Sequence, residues 1–308
     1  MVQFTKQAKS NQAHLQTWQD RGLIIPDFVR ADRYLSFIGY YRLSAYTIPF
    51  QQTITAHSSI LHQFKANTTF DDVLNLYIFD RELRLLIMDA IERIEVAIRA
   101  QICNVLCDQS GNAFWYTDEQ HFSHNYAHMR LLASIERQLM DEKSRLERDE
   151  KAIDKRPLSQ ADKDVLKDKV RKENFLRHYL SKYDSPKLLP SWMMIEMLTW
   201  GELSHLYVGL KSNQAKKQIA QNLGIHAEVL ESWLKSLNDV RNLCAHHSRL
   251  WNKEHGRSIK IPTSTAIQWL QKPVILSNTA IRHEKRTYMI LVAMQNLLYK
   301  ISPNSTWA

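Results

Sequence analysis

The sequence predicts an all-α protein, and three observations point to this class. Apolar residues recur every three to four positions through most of the chain, which is the period of one helical face. The 308 residues include only 7 Gly and 8 Pro, which disfavours a turn-rich β architecture and excludes the glycine-rich loops of Rossmann enzymes and P-loop NTPases. With 44% hydrophobic and 24% charged residues, the chain has the composition of a globular protein with a sizeable core.

The first predicted domain, residues 1–68, is a helical, aromatic-rich segment that packs on the core of the second. A helix is predicted to begin at Asp27, and its surroundings are dense in rings. These rings are Phe28, Tyr34, Phe37, Tyr40, Tyr41, Tyr46 and Phe50. Two interpretations stay open: the rings fasten a helical hairpin to the core, or they form a platform for stacking bases, interleaved with Arg30, Arg33 and Arg42.

The second predicted domain, residues 69–308, is a helical domain built on one long helix from Thr69 to about Leu106. Its apolar residues keep a spacing of three to four, and Thr69 followed by Asp72 has the pattern of an N-terminal cap. At about 1.5 Å per residue such a helix is on the order of 50 Å long.

A charged insertion interrupts the second domain at about residues 141–173. Acidic and basic side chains dominate it and are mixed along the chain. This composition is typical of solvated helix surfaces. We expect exposed helices that project from the body and turn near Pro157.

Further elements are predicted after the insertion. An apolar helix punctuated by Gly201 spans residues 187–210, and one amphipathic helix spans residues 226–252. A short strand at 258–261 and a closing helix at 279–301 complete the chain. Four tryptophans are interpreted as core anchors: Trp192, Trp200, Trp233 and Trp251.

The charge balance and the cysteine usage suggest a cytoplasmic protein with a polyanionic partner. Lys and Arg together number 41 against 32 Asp and Glu, which gives a net charge of +9. Cys103, Cys107 and Cys244 form no disulfide framework and suit a reducing compartment. The sequence shows no secretory signal and no apolar run of membrane-spanning length, so we expect no membrane partner.

The segment RNLCAHH, residues 241–247, carries the residue types that a metal-independent ribonuclease needs. RNA supplies its own nucleophile, the 2′-hydroxyl next to the scissile phosphate. A histidine such as His246 can accept that proton or protonate the leaving 5′-oxygen. The guanidinium of Arg241 can bind the phosphoryl oxygens, with Asn242 as a neighbouring polar group. The expected products are a 2′,3′-cyclic phosphate and a 5′-hydroxyl.

The spacing of this segment leaves its geometry open. On an unbroken helix Arg241 and His246 lie about 140° apart, whereas Asp239, Asn242 and His246 share one stripe. The alternative interpretation is that Arg241 and His246 are surface residues that pair with neighbours such as Asp239. Acid–base catalysis of this reaction needs both a proton acceptor and a proton donor, and one histidine per chain supplies a single such group. The catalytic interpretation therefore favours a symmetric homodimer, which brings two histidines together.

Three histidines, His121, His124 and His128, have the spacing of one helical face. No carboxylate or cysteine falls in register to complete a zinc site. We interpret them as exposed or interface histidines and expect neither a metal nor a cofactor.

Four segments of the chain, in order, resemble the Abi-like family of bacterial abortive-infection proteins. They are GLIIPDFVRADRYLSFIGYYRLSAY (22–46), FDRELRLLIMDAIERIEVAIRAQI (79–102), LPSWMMIEMLTWGELSHLY (189–207) and RNLCAHHSRLWN (241–252). This family belongs to the HEPN superfamily of helical bundles, which are commonly dimeric and often ribonucleases with an Arg-x4–6-His motif. The resemblance thus implies a HEPN-like bundle with an N-terminal helical extension and a charged helical insertion.

The same resemblance implies roles for particular residues. Arg241 and His246 become the motif pair and Asn242 its polar companion, while His247 also falls within the permitted spacing. An acidic residue of another core helix often lies near such a motif, and Glu92 and Glu95 are the candidates here.

The implied function is an RNA-cleaving toxin of a phage-defence or toxin–antitoxin system, held in check by a partner such as an inhibitory small RNA. Two alternatives stay open: an RNA-binding HEPN protein without catalysis, and a helical interaction scaffold. The RNA-binding residues themselves are not predicted.

Overall fold

The computed structural model describes residues 3, 7–54, 59–263, 269 and 283–304. It confirms the all-α class, since these residues form twelve α-helices and one two-stranded sheet. They divide into two compact units, the first made of 1–88 with 242–253 and the second of 89–241 with 254–308. The domain boundary predicted near residue 69 stays a prediction.

The first unit contains three helices, a β-hairpin and the start of a long helix. In order these are α1 (Asn11–Asp20), α2 (Phe28–Ile38), α3 (Tyr40–Ser44), a 3-10 turn (Ile48–Phe50), β1 (Gln51–Ile54), β2 (Ser59–Phe64) and α4 (Phe70–Ser110). The two strands are antiparallel, with Gln51 opposite Phe64. This hairpin is not predicted from the sequence, because strands of four and six residues are too short for hydrophobic periodicity to reveal.

Two helix starts in this unit lie where the sequence predicts them. The Asp27 carboxylate accepts the amide of Arg30 at 2.8 Å and caps α2. The Thr69 hydroxyl accepts the amide of Asp72 at 3.2 Å, and the Asp72 carboxylate accepts the amide of Thr69 at 2.8 Å. This reciprocal pair satisfies two amides that would otherwise have no partner at the start of α4.

Some aromatic rings of the first unit are packed in its core, and others are exposed to solvent. Its core consists of Leu15, Trp18, Leu23, Ile25, Ala31, Leu35, Leu43, Tyr46, Phe64, Phe70, Val73 and Leu74. Tyr40 packs against this core and stacks on His14 with 3.7 Å between ring centroids. In contrast, Phe37 and Tyr41 are 85% and 92% exposed. Neither of the two interpretations of the rings therefore applies to all of them.

The second unit holds the rest of α4 and the later helices. These are α5 (His128–Asp154), α6 (Gln160–Arg171), α7 (Phe175–Lys182), α8 (Ser191–Met194), α9 (Trp200–Gly209), α10 (Asn213–Asn222), α11 (Ala227–Ala245) and α12 (Thr287–Ile301). Buried residues of α4, α9, α11 and α12 include Ile94, Ile98, Ile102, Leu203, Leu206, Leu230, Trp233, Leu237, Met294 and Leu297. No helix in the described part of the chain is both long enough and apolar enough to cross a bilayer.

Three details of this unit differ from the sequence-based expectation. The helix predicted at 187–210 is interrupted, because a capping box between Thr199 and Glu202 starts a new helix, α9. Residues 258–261 form no strand, and an isolated bridge joins Glu254 to Arg286 instead. Trp192 is 53% exposed and is not a core anchor, whereas Trp200 and Trp233 are buried. The predicted start of the closing helix at 279 lies outside the described residues.

The charged insertion is a set of packed helices, with Pro157 in the turn between α5 and α6 as predicted. Arg177 of α7 is buried and donates to Glu142 at 2.7 Å and to Glu173 at 2.6 Å, and it pairs with Asp149 at 2.8 Å. One guanidinium thus joins α7 to two acidic side chains of α5. The insertion satisfies much of its charge internally.

The pairing also fixes a pH dependence. The hydrogen bond from Arg177 holds the pKa of Glu142 below its usual value of 4.5. A lowered carboxylate pKa contributes stability that is fully present above pH 4.5 and is lost as the pH falls through the lowered value.

Replacing Arg177 with methionine is expected to lower the free energy of unfolding by about 3 kcal/mol, because it leaves a buried carboxylate without its cation. Arg145→Met is the matched control: Arg145 also pairs with Glu142, at 3.3 Å, but its side chain is 61% exposed. That change should cost about 0.5 kcal/mol or less. Thermal unfolding at pH 7 and below pH 4 measures both variants. The Arg177 effect should shrink in acid, and equal losses in the two variants would contradict this assignment.

Candidate functional site

The histidine motif lies at the end of α11, where the helix stops at Ala245 rather than continuing to residue 252. The amide of Ser248 donates to the carbonyl of Leu243 at 2.9 Å, and the amide of His247 to that of Cys244 at 3.0 Å. His247 has a φ of +55°. Together these features are those of a Schellman C-cap, in which a left-handed residue ends the helix and satisfies its last carbonyls.

This ending changes the predicted arrangement of the motif. His246 lies just beyond α11, although its amide still donates to the carbonyl of Asn242 at 3.0 Å. His247 occupies the left-handed position that glycine usually fills. The side chains of Asn242, His246 and His247 are all exposed.

A buried carboxylate holds the chain that follows the motif. Asp80 of α4 is fully buried and accepts the amides of Trp251 at 2.6 Å and Leu250 at 3.2 Å. It also accepts the Tyr46 hydroxyl at 2.6 Å and the Arg84 guanidinium at 2.5 Å. Four donors occupy the acceptor sites that an ionised carboxylate offers. Asp80 is not among the site residues predicted from the sequence, and the signal for it is an Asp–Arg pair four residues apart among the buried positions of α4.

Two arginine side chains also fix the same segment, each by donating to a backbone carbonyl. Arg42 of α3 donates to the carbonyl of His247, and Arg249 donates to the carbonyl of Ala45 at 2.8 Å. The first contact uses a backbone carbonyl of the segment and the second uses the side chain of Arg249, so neither of them involves the imidazoles of His246 and His247.

Two other groups near the motif are held in their neutral forms. Burial raises the pKa of the Cys244 thiol to about 11, so it stays protonated near neutral pH and is a packed residue rather than a nucleophile. Burial, followed by the hydrogen bond to Asp80, raises the pKa of Tyr46 to about 12. Tyr46 therefore acts as a hydrogen-bond donor to the carboxylate.

His246 and His247 line a cleft of about 680 Å³ within the first unit. Among the described residues that line it, the ionisable side chains are cationic or imidazole groups apart from three tyrosines, and none of them is a carboxylate. These cationic and imidazole residues are Arg21, Arg42, Arg249, His62, His246 and His247. A lining of this kind favours a polyanion over a neutral ligand.

The other predicted site residues have separate environments. Arg241 is half-buried in the last turn of α11. Asp239 forms an ion pair with Arg257 at 2.9 Å in the second unit. Glu95 pairs with Arg99, which also donates to the carbonyl of Leu198 at 2.7 Å, so this carboxylate supports packing of the second unit.

Glu92 is exposed on α4. The structure thus brings His246 and His247 into one cleft, whose described lining does not include Arg241 or Asn242. Asp239 and Glu95 have partners of their own.

The three candidate metal-binding histidines do not share one helical face. His121 ends a 3-10 turn, His124 lies in the following loop, and His128 begins α5. His128 is buried, with its ring nitrogen 2.8 Å from the carbonyl of Tyr116. Within the residues that the structure describes, no group of three or more histidine, cysteine, aspartate or glutamate side chains is placed to hold a metal ion.

Substituting Asp80 with alanine is expected to lower the free energy of unfolding by about 3–5 kcal/mol, because Arg84 would stay buried without its carboxylate. Tyr46→Phe is the control, since it removes a single hydrogen bond to the same carboxylate and should cost about 1 kcal/mol. Chemical denaturation measures both. Similar small losses would show that Asp80 does not anchor the segment.

Exchanging His247 for glycine is expected to stabilise the fold by about 1 kcal/mol relative to His247→Ala, because only glycine takes a positive φ without steric cost. Both changes remove the same exposed imidazole, so the difference between their stabilities reports the cost of the positive φ alone. A thermal shift that is equal for the two variants would argue against the left-handed turn.

Comparisons with known proteins give one finding. The family model described as Abi-like protein matches residues 33–252, which include α4, the charged insertion and the whole histidine motif. Neither the curated proteins nor the solved structures contain a significant match. Because the family model covers more than half of the chain, the protein belongs to the Abi-like family.

Proposed function

We propose that this chain is a metal-independent endoribonuclease of the HEPN type. The observation that supports it best is that His246 and His247 share a cleft whose described lining contains three arginines and no carboxylate. Membership in the Abi-like family points to abortive infection, a defence against phage, as the setting. RNA is then the polyanion that the cleft binds.

The reaction needs only groups of the protein and of RNA. The 2′-oxygen attacks the neighbouring phosphorus, the bond from phosphorus to the 5′-oxygen breaks, and a 2′,3′-cyclic phosphate and a 5′-hydroxyl result. One imidazole accepts the proton of the 2′-hydroxyl and a second, protonated imidazole donates a proton to the leaving 5′-oxygen. His246 takes one of these two roles, and His247 is the second imidazole available in the same cleft. Arg241 stabilises the charge on the phosphorane, and Asn242 orients one of these groups.

A homodimer is part of the proposal. Two copies related by a two-fold axis would supply two sets of Arg241 and His246 to one composite site. A latent nuclease also needs restraint, and an inhibitory small RNA bound to the same cationic lining would provide it.

A non-catalytic RNA-binding protein is the second candidate, because the cationic lining of the cleft serves binding and cleavage equally well. Only a cleavage assay distinguishes the two.

Incubation of purified protein with total RNA in EDTA is expected to give fragments that end in 2′,3′-cyclic phosphates. Arg241→Ala and His246→Ala should each cut at least about 100-fold more slowly, the usual contribution of a general acid or base. His247→Ala, measured in parallel, decides which imidazole leads. His226→Ala is the matched control, since His226 is also exposed but lies outside the motif.

Two results would contradict the proposal. Cleavage that needs a divalent metal would contradict the metal-independent mechanism. Cleavage that persists in folded His246→Ala and His247→Ala proteins would show that the motif is not catalytic. Retention of RNA without any cleavage would favour the binding protein instead.

A further inference from the structure

The cleft that holds the two histidines also presents an aromatic ring to solvent. Tyr41 lines the cleft and is 92% exposed. Single exposed apolar residues are common, but a ring this exposed in a cleft of cations has the composition of a single-strand binding site, where bases stack on aromatic faces.

The neighbouring ring is fixed, which places Tyr41 on a rigid support. Tyr40 stacks on His14 at 3.7 Å and lies against the buried Trp18 at 4.9 Å. Both Tyr40 and Trp18 also line the cleft. Tyr41 therefore projects from a segment that the core already holds, so that stacking on it costs little further ordering of the backbone.

Arg42 follows Tyr41 and reaches the motif. Its guanidinium donates to the carbonyl of His247, so the two lining residues are in direct contact. This bond needs one of five N–H donors. The residue is exposed, so donors are available to a phosphate beside the histidines.

We propose that Tyr41 and Arg42 form a nucleotide subsite beside His246 and His247. In it the ring of Tyr41 stacks on an unpaired base while Arg42 binds the phosphate of the same nucleotide. A base can stack in this way only outside a duplex, so the substrate class is single-stranded RNA. Cleavage of the bound strand rests on the proposed function, whereas binding of the strand does not.

The first test measures binding without cleavage. The probe is a fluorescein-labelled 12-nucleotide oligouridylate, and the background is the His246→Ala/His247→Ala double variant, in which RNA stays intact whichever imidazole leads. Adding Tyr41→Ala is expected to weaken binding about 10-fold, the order of one base stack, and Tyr41→Phe should restore it to within about 2-fold. Phe37→Ala is the matched control, because Phe37 is an equally exposed ring of the first unit that does not line the cleft.

The second test separates the phosphate contact from the stack. Arg42→Gln keeps an amide donor for the His247 carbonyl but removes the charge. It should lower the slope of log Kd against log salt by about 0.7, the value for one phosphate of a single strand. Tyr41→Ala should leave that slope unchanged. A 12-base-pair RNA duplex should bind equally well with and without Tyr41→Ala.

Several outcomes overturn the subsite. Unchanged affinity in Tyr41→Ala does so, as does an equal loss in Tyr41→Phe. A changed mass in light scattering with unchanged RNA affinity would assign the ring to a protein interface instead. Binding that depends on Tyr41 in a protein that never cuts RNA would keep the subsite and reject the nuclease. Cleavage by the wild type, together with binding that is independent of Tyr41, would keep the nuclease and reject the subsite.

Discussion

The buried carboxylate of Asp80 organises the segment that carries the histidines. It takes donors from the Tyr46 side chain, the Arg84 side chain and the amides of Leu250 and Trp251. A carboxylate out of water is tolerated only with such a complete set of partners, so each of these contacts depends on the others. Because Asp80 lies on the long helix α4, the chain after α11 has a fixed place to attach. The position of His246 and His247 in the cleft follows from that attachment.

The attachment at Asp80 helps to hold a turn in which His247 has a left-handed backbone conformation. A β-carbon in the left-handed region costs free energy, and glycine would remove that cost. The backbone of the turn is held by Arg42 and by the bonds to Leu243 and Cys244, while both imidazoles stay exposed. Residues with a strained backbone that the surrounding structure holds in place are often found at functional sites, where the identity of the side chain matters more than the cost of the strain.

Charge is distributed differently in the insertion and in the cleft. In the insertion Arg177 contacts three carboxylates, and Arg171 pairs with Glu150 at 2.6 Å. Such pairs neutralise one another and leave little field for a ligand. In the cleft none of the described lining residues is a carboxylate, so no acidic group of the lining neutralises its arginines. The net charge of +9 thus understates how cationic this one surface is.

The sequence by itself determined the all-α class and the starts of α2 and α4, because caps such as Asp27 and Thr69 act through neighbours three residues away. It also located the break at Pro157 and the histidine motif. It did not determine where α11 ends, since the turn at His247 depends on Asp80 and Arg42, more than 160 residues earlier in the chain. Nor did it distinguish Tyr40, which is packed, from Tyr41, which is exposed, because α3 is too short for periodicity to assign a face. Local signals act over one helical turn, whereas the cleft is assembled from distant segments, and only tertiary contacts decide which side chains line it.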